Sequence, residues 1–143
     1  MSQSDDDLPG WARQMLLQAR VGHLGMLDDH ERPRVLPVTF VFHAGSIWTA
    51  VDQKPKRAPG QELARVRFLR RRPQAAFTVD HYSEDWRDLA WVQALGRVRV
   101  LALEDEPDAV AALGTRYEPY RRDPPPGPLL CLEPERFVTW RAS

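Results

Sequence analysis

Apolar and polar positions alternate with two different periods along this chain, and the switches between them mark its elements. Leu8, Trp11, Met15, Leu16 and Ala19 recur at helical spacing. Pro9 suits a first helical turn, where its missing N–H has no partner to lose, so a helix is predicted to about Arg20. Gly22 to Leu27 reads as a short strand and Asp28 to Pro33 as a polar turn. Arg34 to His43 shows the clearest two-residue period. Leu36, Val38, Phe40 and Phe42 line one face, and Val35, Pro37, Thr39, Val41 and His43 line the other. Ala44-Gly45-Ser46 predicts a tight turn, with Ile47 to Val51 pairing back as a hairpin.

Ala58-Pro59-Gly60 breaks the pattern. A helix is predicted from about Gln61 to Arg71, with Leu63, Val66 and Leu69 apolar, and Pro73 ends it. Ala75 to Tyr82 and Ala90 to Leu103 read as strands, with Gly96 marking a bulge or tight bend in the second. Glu104-Asp105-Glu106-Pro107-Asp108 has the carboxylates and proline of a helix start, and Val110, Leu113 and Tyr117 then face inward. Asp123 to Pro128 is a stiff connector, and Leu129 to Leu132 and Phe137 to Trp140 close the chain as strands. About six strands in hairpin-like order with three helices predict an α+β, mainly β fold: a six-stranded antiparallel barrel with helices on its flanks. Residues 8–143 form one domain in this reading, and residues 1–7 are expected to be disordered.

Composition narrows the function classes. Acidic and basic residues balance to zero net charge, which argues against a general nucleic-acid binder. Cys131 is the single cysteine, so no intrachain disulfide forms and a reducing compartment is expected. The start of the chain, acidic and polar, is the reverse of a secretory leader, and no apolar run is long enough to span a bilayer. A soluble cytoplasmic protein is the expectation.

The chain carries no glycine-rich phosphate loop, Rossmann spacing, Walker pattern or nucleophile elbow. His23, His30, His43 and His81 stand far apart without ligand spacing, so no metal site is predicted. Cys131 follows two leucines and reads as a small buried hydrophobe. Arg65, Arg67, Arg70, Arg71 and Arg72 form either a basic stripe or a solvated helix face balanced by acids elsewhere. Trp86 and Trp91 suit an interface or pocket as well as a core.

The most unusual stretch is Val51-Asp52-Gln53-Lys54-Pro55-Lys56-Arg57. Lys54 and Lys56 are the only lysines in the chain. Pro55 favours extended backbone before it, and residues two apart in extended chain point the same way, so the two ammonium groups project together beside Arg57. An anion socket at a strand end is one reading, and a solvated basic turn is the other.

The order of these segments resembles a known family. A Gly-Met-Leu strand is followed by Arg-Val-Leu-Pro-Val-Thr-Phe at 34–40, then Val51-Asp52-Gln53-Lys54-Pro55-Lys56, a helix ending Arg-Arg-Arg-Pro at 70–73, and Asp80-His81-Tyr82-Ser83-Glu84-Asp85-Trp86. Leu89-Ala90-Trp91-Val92 and Gly96-Arg97-Val98 come after. This resembles the pyridoxamine 5′-phosphate oxidase-like split β-barrel superfamily, and within it the small actinobacterial proteins that use the deazaflavin coenzyme F420. The resemblance implies a homodimer with a flavin or deazaflavin in each of two grooves at the interface. It places the cofactor phosphate on Lys54 and Lys56, with Arg57 as a helper, and lays Pro37, Val38 and Thr39 along the ring system. Trp86 and Trp91 fall in segments that approach the partner subunit, and Arg65 or Arg67 could meet the carboxylates of the F420 tail. It implies hydride transfer to or from a small conjugated substrate, with no catalytic side chain assigned. An FMN-dependent oxidase or reductase, or a non-catalytic cofactor- or haem-binding barrel, are the alternatives. The chain departs from the expected pattern at Gln93 and Leu95, where an arginine and an acidic or polar residue are anticipated.

Overall fold

The stretch that reads as one strand, 34–43, is two strands in the structure, and they lie at opposite edges of the same sheet. The computed structural model describes residues 8–51 and 63–143. Its strands are β1 (Gly22–Leu27), β2 (Pro33–Val38), β3 (Val41–His43), β4 (Ser46–Ala50), β5 (Gln74–His81), β6 (Ala90–Leu101) and β7 (Leu129–Arg141). They form one antiparallel sheet in the order β2-β1-β5-β6-β7-β4-β3. β2 and β3 are consecutive in the chain yet occupy the two edges, so the sheet curls until its edges meet at Thr39 and Phe40. The strand count among the described residues is therefore seven rather than six. Two changes offset each other in that count: 34–43 splits in two, while the two closing segments of the sequence reading join as one strand, β7, of 13 residues, so the seven segments that read as strands, counted there as about six, remain seven.

Among the described residues four α-helices accompany the sheet: α1 (Gly10–Gln18), α2 (Ala64–Arg71), α3 (Pro107–Arg116) and α4 (Glu118–Arg122). The last, which follows the α3 C-terminus directly, is absent from the sequence reading because Pro119 there looks like a breaker; a proline in the first helical turn loses no hydrogen bond. The expected disorder of residues 1–7 lies outside the described residues.

Alternation along β4 explains how the layers assemble. Ile47 and Val51 turn into the main core with Leu24, Phe40, Phe77, Val92 and Leu130, which α1 covers with Ala12 and Leu16 and α2 with Val66 and Leu69. Trp48 and Ala50 turn the opposite way and pack with Val41 and Cys131 against Ala109, Leu113 and Tyr117 of α3 and its C-terminus. The edge-to-face rings of Phe40 and Phe77, 4.7 Å apart, tie the seam to the centre of the sheet.

Two turns carry positional constraints. Gly96 lies at the register shift between β6 and β7, and a Cβ there would overlap the Glu133 carbonyl, so only glycine lets the two backbones approach. Ala44 and Gly45 join β3 to β4 with φ of 52° and 78°, the positive values that a two-residue turn matching strand twist requires.

Two substitutions test these assignments. Gly96→Ala is expected to lower unfolding free energy by about 2 kcal/mol or more in urea titrations, because rigid backbone rather than a flexible side chain must yield. Ala44→Asn, on an exposed turn where alanine tolerates left-handed backbone poorly, is expected to raise stability by about 0.5–1 kcal/mol in the same assay.

Candidate functional site

A cavity of about 160 Å³ opens beside the seam of the curled sheet. Pro37 and Val38 from the end of β2, Thr39 at the seam, Thr49 and Ala50 from the end of β4, Val21 from the α1–β1 connection and Arg65 from α2 line it. The sequence-predicted residues Pro37, Val38 and Thr39 are thus brought together in one wall. They meet there because β2 ends where the chain crosses from one sheet edge to the other, leaving Thr39 outside either ladder.

Two threonines belong to this lining, with different constraints. The Thr39 hydroxyl is 3.0 Å from the Tyr120 hydroxyl of α4. Thr49 is 6% exposed and shares with Asp28 the distinction of being a buried polar residue.

The next residue after Ala50 is Val51, which is fully buried. Its N–H donates to the Pro128 carbonyl at 3.0 Å, and its carbonyl accepts from the Gly127 N–H at 3.2 Å. Val51, the last described residue before the segment that carries Lys54, Lys56 and Arg57, is thus held in place next to Ala50, which lines the cavity. Those three residues lie outside the described residues.

The arginines of α2 and its C-terminus separate into distinct roles. Arg67 Nε and Arg71 Nη1 donate to the Asp29 carboxylate at 3.1 and 2.9 Å, and Arg72 lies 3.6 Å from Glu31. The reading of a helix face balanced by acids elsewhere holds for these three. Arg65 instead contributes to the cavity. Partial burial pushes the Asp29 carboxyl up, but the Arg67 and Arg71 guanidiniums outweigh it and hold it below the usual carboxylate range. Asp28 is held low chiefly by the Arg32 N–H, with burial opposing and the His30 N–H adding to it. The acidic turn between β1 and β2 thereby fixes the helix that presents Arg65.

Trp86 and Trp91 do not line this cavity. Trp86 stands in a short 3-10 turn, 86–88, and is 68% exposed, with Tyr82 nearby in sequence at 62%. Trp91 on β6 is partly buried and lies opposite Trp140 on β7. The departures at Gln93 and Leu95 fall on the same side of β6 as Trp91. Gln93 donates to the Thr78 hydroxyl at 3.3 Å, and Leu95 lies opposite Ala76 and Arg136. A second groove of about 400 Å³ lies between α1 and the ends of β6 and β7, lined by Trp11, Met15, His81, Arg87 and Arg141 among others.

Other chemistry is sparse. Cys131 is buried, which pushes its thiol up to about 11 and leaves it a packing residue. Among the described residues no group of three His, Cys, Asp or Glu side chains could hold a metal ion, and no helix is long and apolar enough to cross a membrane. Sequence reasoning missed Thr49 and Tyr120 because neither sits in a motif. Thr49 becomes a candidate only through its burial, and Tyr120 only through a contact with a residue 81 positions away.

An antiparallel sheet curled until its edges meet at a cavity defines the split-barrel class. The family model described as pyridoxamine 5′-phosphate oxidase matches residues 12–136, and the chain belongs to that family. None of the curated protein sequences is a detectable relative. Among solved structures, an FAD-binding protein from Mesorhizobium loti is 18% identical, with a TM-score of 0.69 over 95% of this chain and 96% of that one. HutZ, a haem storage protein from Vibrio cholerae, is 15% identical with a TM-score of 0.70 over 90% of each chain. An F420 reductase is 17% identical with a TM-score of 0.68, covering 92% of this chain and 98% of that one. At these identities the likeness is one of fold.

A pH titration tests the fixing of α2. Because Asp29 is held low in the folded state, its contribution is full above the unfolded value of 3.8 and is lost as pH falls through the folded one. Asp29→Asn is therefore expected to be less stable than the wild type at pH 7, with the gap in urea midpoints closing at acid pH. An unchanged gap down to pH ~2, well below the unfolded carboxylate range, would count against the Asp29–Arg67–Arg71 cluster.

Proposed function

We infer that this protein is an oxidoreductase that binds coenzyme F420 and uses it to transfer a hydride to or from a small conjugated substrate. The observation that carries this reading is the cavity at the seam. Its wall includes Pro37, Val38 and Thr39, and it is also lined by Ala50, which in the sequence shortly precedes the segment bearing Lys54, Lys56 and Arg57. Membership of the pyridoxamine 5′-phosphate oxidase family supports a phosphorylated cofactor. The cofactor supplies the hydride chemistry, and the chain supplies position, charge and exclusion of water. In this reading Lys54 and Lys56 hold the phosphate, Arg57 assists them, and Pro37, Val38 and Thr39 flank the ring. Arg65, which lines the cavity, meets a further anionic group.

The cavity's size also bears on assembly. Sites for drug-sized ligands are about 300–1,000 Å³, so about 160 Å³ in one chain accommodates only part of a tricyclic ring system. A homodimer whose partner completes the groove resolves the mismatch. The outward side of β5, β6 and β7 is suited to such a contact: Ala76, Thr78, Gln93, Leu95 and Val138 put uncharged groups along its middle, between Arg136 beside Leu95 and Asp80 beside Trp91, with Trp91 and Trp140 at one end. Gln93 in place of an arginine, and Leu95 in place of an acidic or polar residue, leave this side less costly to desolvate.

FMN is the second reading, favoured by the family itself, and it places a flavin in the same cavity. Haem fits less well there, since none of the described residues lining the cavity is a His, Cys, Met or Tyr that could ligate iron.

Titration of the purified protein with oxidised F420, followed by quenching of cofactor fluorescence, is expected to saturate, and Lys54→Ala with Lys56→Ala to abolish saturation. A flavin absorbance spectrum in the protein as purified would assign FMN instead, and no binding of either would overturn the reading. Light scattering at micromolar concentration is expected to give twice the chain mass; a monomer would overturn the shared groove.

A further inference from the structure

Tyr120 lies on α4, outside the sheet, and its hydroxyl reaches the cavity-lining threonine at the seam. The Thr39–Tyr120 separation is 3.0 Å, and α4 is fastened so that the contact is held. Arg121 Nη1 donates to the Gly114 and Thr115 carbonyls at 3.0 Å each, which locks α4 onto the end of α3. The Tyr120 ring packs edge-to-face on Tyr117 at 5.7 Å, and Tyr117 is itself fastened to Phe40, the residue after Thr39.

Each of the two hydroxyls has one proton, and a phenol is a stronger donor and weaker acceptor than an aliphatic alcohol. The favoured arrangement has Tyr120 donating to Thr39 Oγ1. The Thr39 proton is then excluded from that axis and turns to another acceptor. We propose that Tyr120 is a positioning residue that makes Thr39 a hydrogen-bond donor toward the cavity, where it meets an acceptor atom, a carbonyl oxygen or ring nitrogen, at the edge of the bound ring system. This assignment rests on the reading of the cavity as the cofactor site.

A double-mutant cycle tests it, with oxidised F420 as the probe, or FMN if the protein purifies with flavin. Tyr120→Phe keeps the ring and removes the hydroxyl, and Thr39→Val keeps the shape and removes the donor. Each is expected to raise Kd roughly 3- to 10-fold, the scale of one net hydrogen bond. The pair is expected to cost no more than either alone, and Thr39→Ser is expected to restore wild-type affinity. Melting temperatures taken alongside show whether each variant folds. A purely structural role for Tyr120 predicts instead that Tyr120→Phe weakens binding equally in the wild-type and Thr39→Val backgrounds, and that result would overturn the proposal. Should Tyr120→Phe fail to fold, equal affinities for Thr39→Val and the wild type overturn it from the cavity side. If the wild type binds neither F420 nor FMN, the functional reading fails and takes this inference with it. Binding with an additive cycle removes the inference alone.

Discussion

The fold depends on how the backbone is satisfied at one point, where the chain leaves β2 at one sheet edge and enters β3 at the other. Phe40 is fully buried there and belongs to neither ladder. Its N–H and carbonyl would be orphaned in an apolar core, at a cost of about 1–3 kcal/mol each. The Tyr117 hydroxyl supplies both needs: it accepts from the Phe40 N–H at 3.0 Å and shares its proton between the Phe40 and Arg20 carbonyls, 2.8 Å from each. Arg116 extends the same junction by donating to the Leu17 and Ala19 carbonyls, while Arg20 donates to the Arg116 carbonyl at 2.8 Å. The end of α1, the end of α3 and the seam are therefore one hydrogen-bonded unit. The same groups thus hold both the curl of the sheet and the docking of α3.

The cavity inherits its geometry from this junction. Val21 follows Arg20, Thr39 precedes Phe40, and both line it. On its other side Arg65 is placed by α2, which the Asp29 carboxylate holds through Arg67 and Arg71. Two independent anchors, one of the Tyr117 hydroxyl and the Arg20 and Arg116 guanidiniums bonded to backbone groups and one of ion pairs, set the positions of the groups that would meet a ligand. Ion pairs at a partly exposed turn contribute modestly to stability, and here their larger effect is on which arginine of α2 stands at the cavity.

The proposed function asks for no acid–base or nucleophile constellation in the chain, because the cofactor would supply the reactive group. A barrel that positions a hydride carrier needs shape, a few oriented donors and a counter-charge for the carrier's anionic groups. Thr39, Thr49 and Arg65 are of these types, as are the lysines of the neighbouring segment. The same sparse requirement explains why the fold accommodates proteins with FAD, F420 and haem in their names: the fold class alone does not select the cofactor.

Much of the fold was legible in the amino-acid order, because the burial of one face of a strand or helix is written in its period. The helices at Trp11 and Val66, the strand alternations, the tight turn at Gly45 and the bend at Gly96 all follow from local chemistry. So do the paired lysines as candidates, while the seam triplet Pro37-Val38-Thr39 came from the resemblance in segment order. Periodicity could not reveal that 34–43 breaks at Thr39, since both halves keep the same alternation and only pairing with different neighbours parts them. Nor could it distinguish Arg65 from Arg67, two residues apart on one helix, until Asp29 took one of them. Thr49 and Tyr120 carry no local signal. By itself the sequence determined which faces are buried and which chemistry is present, because those depend on each segment's own periodicity and residue types. The tertiary structure alone decided which residues share a cavity, because that depends on contacts between distant segments, as far as 81 residues apart for Thr39 and Tyr120.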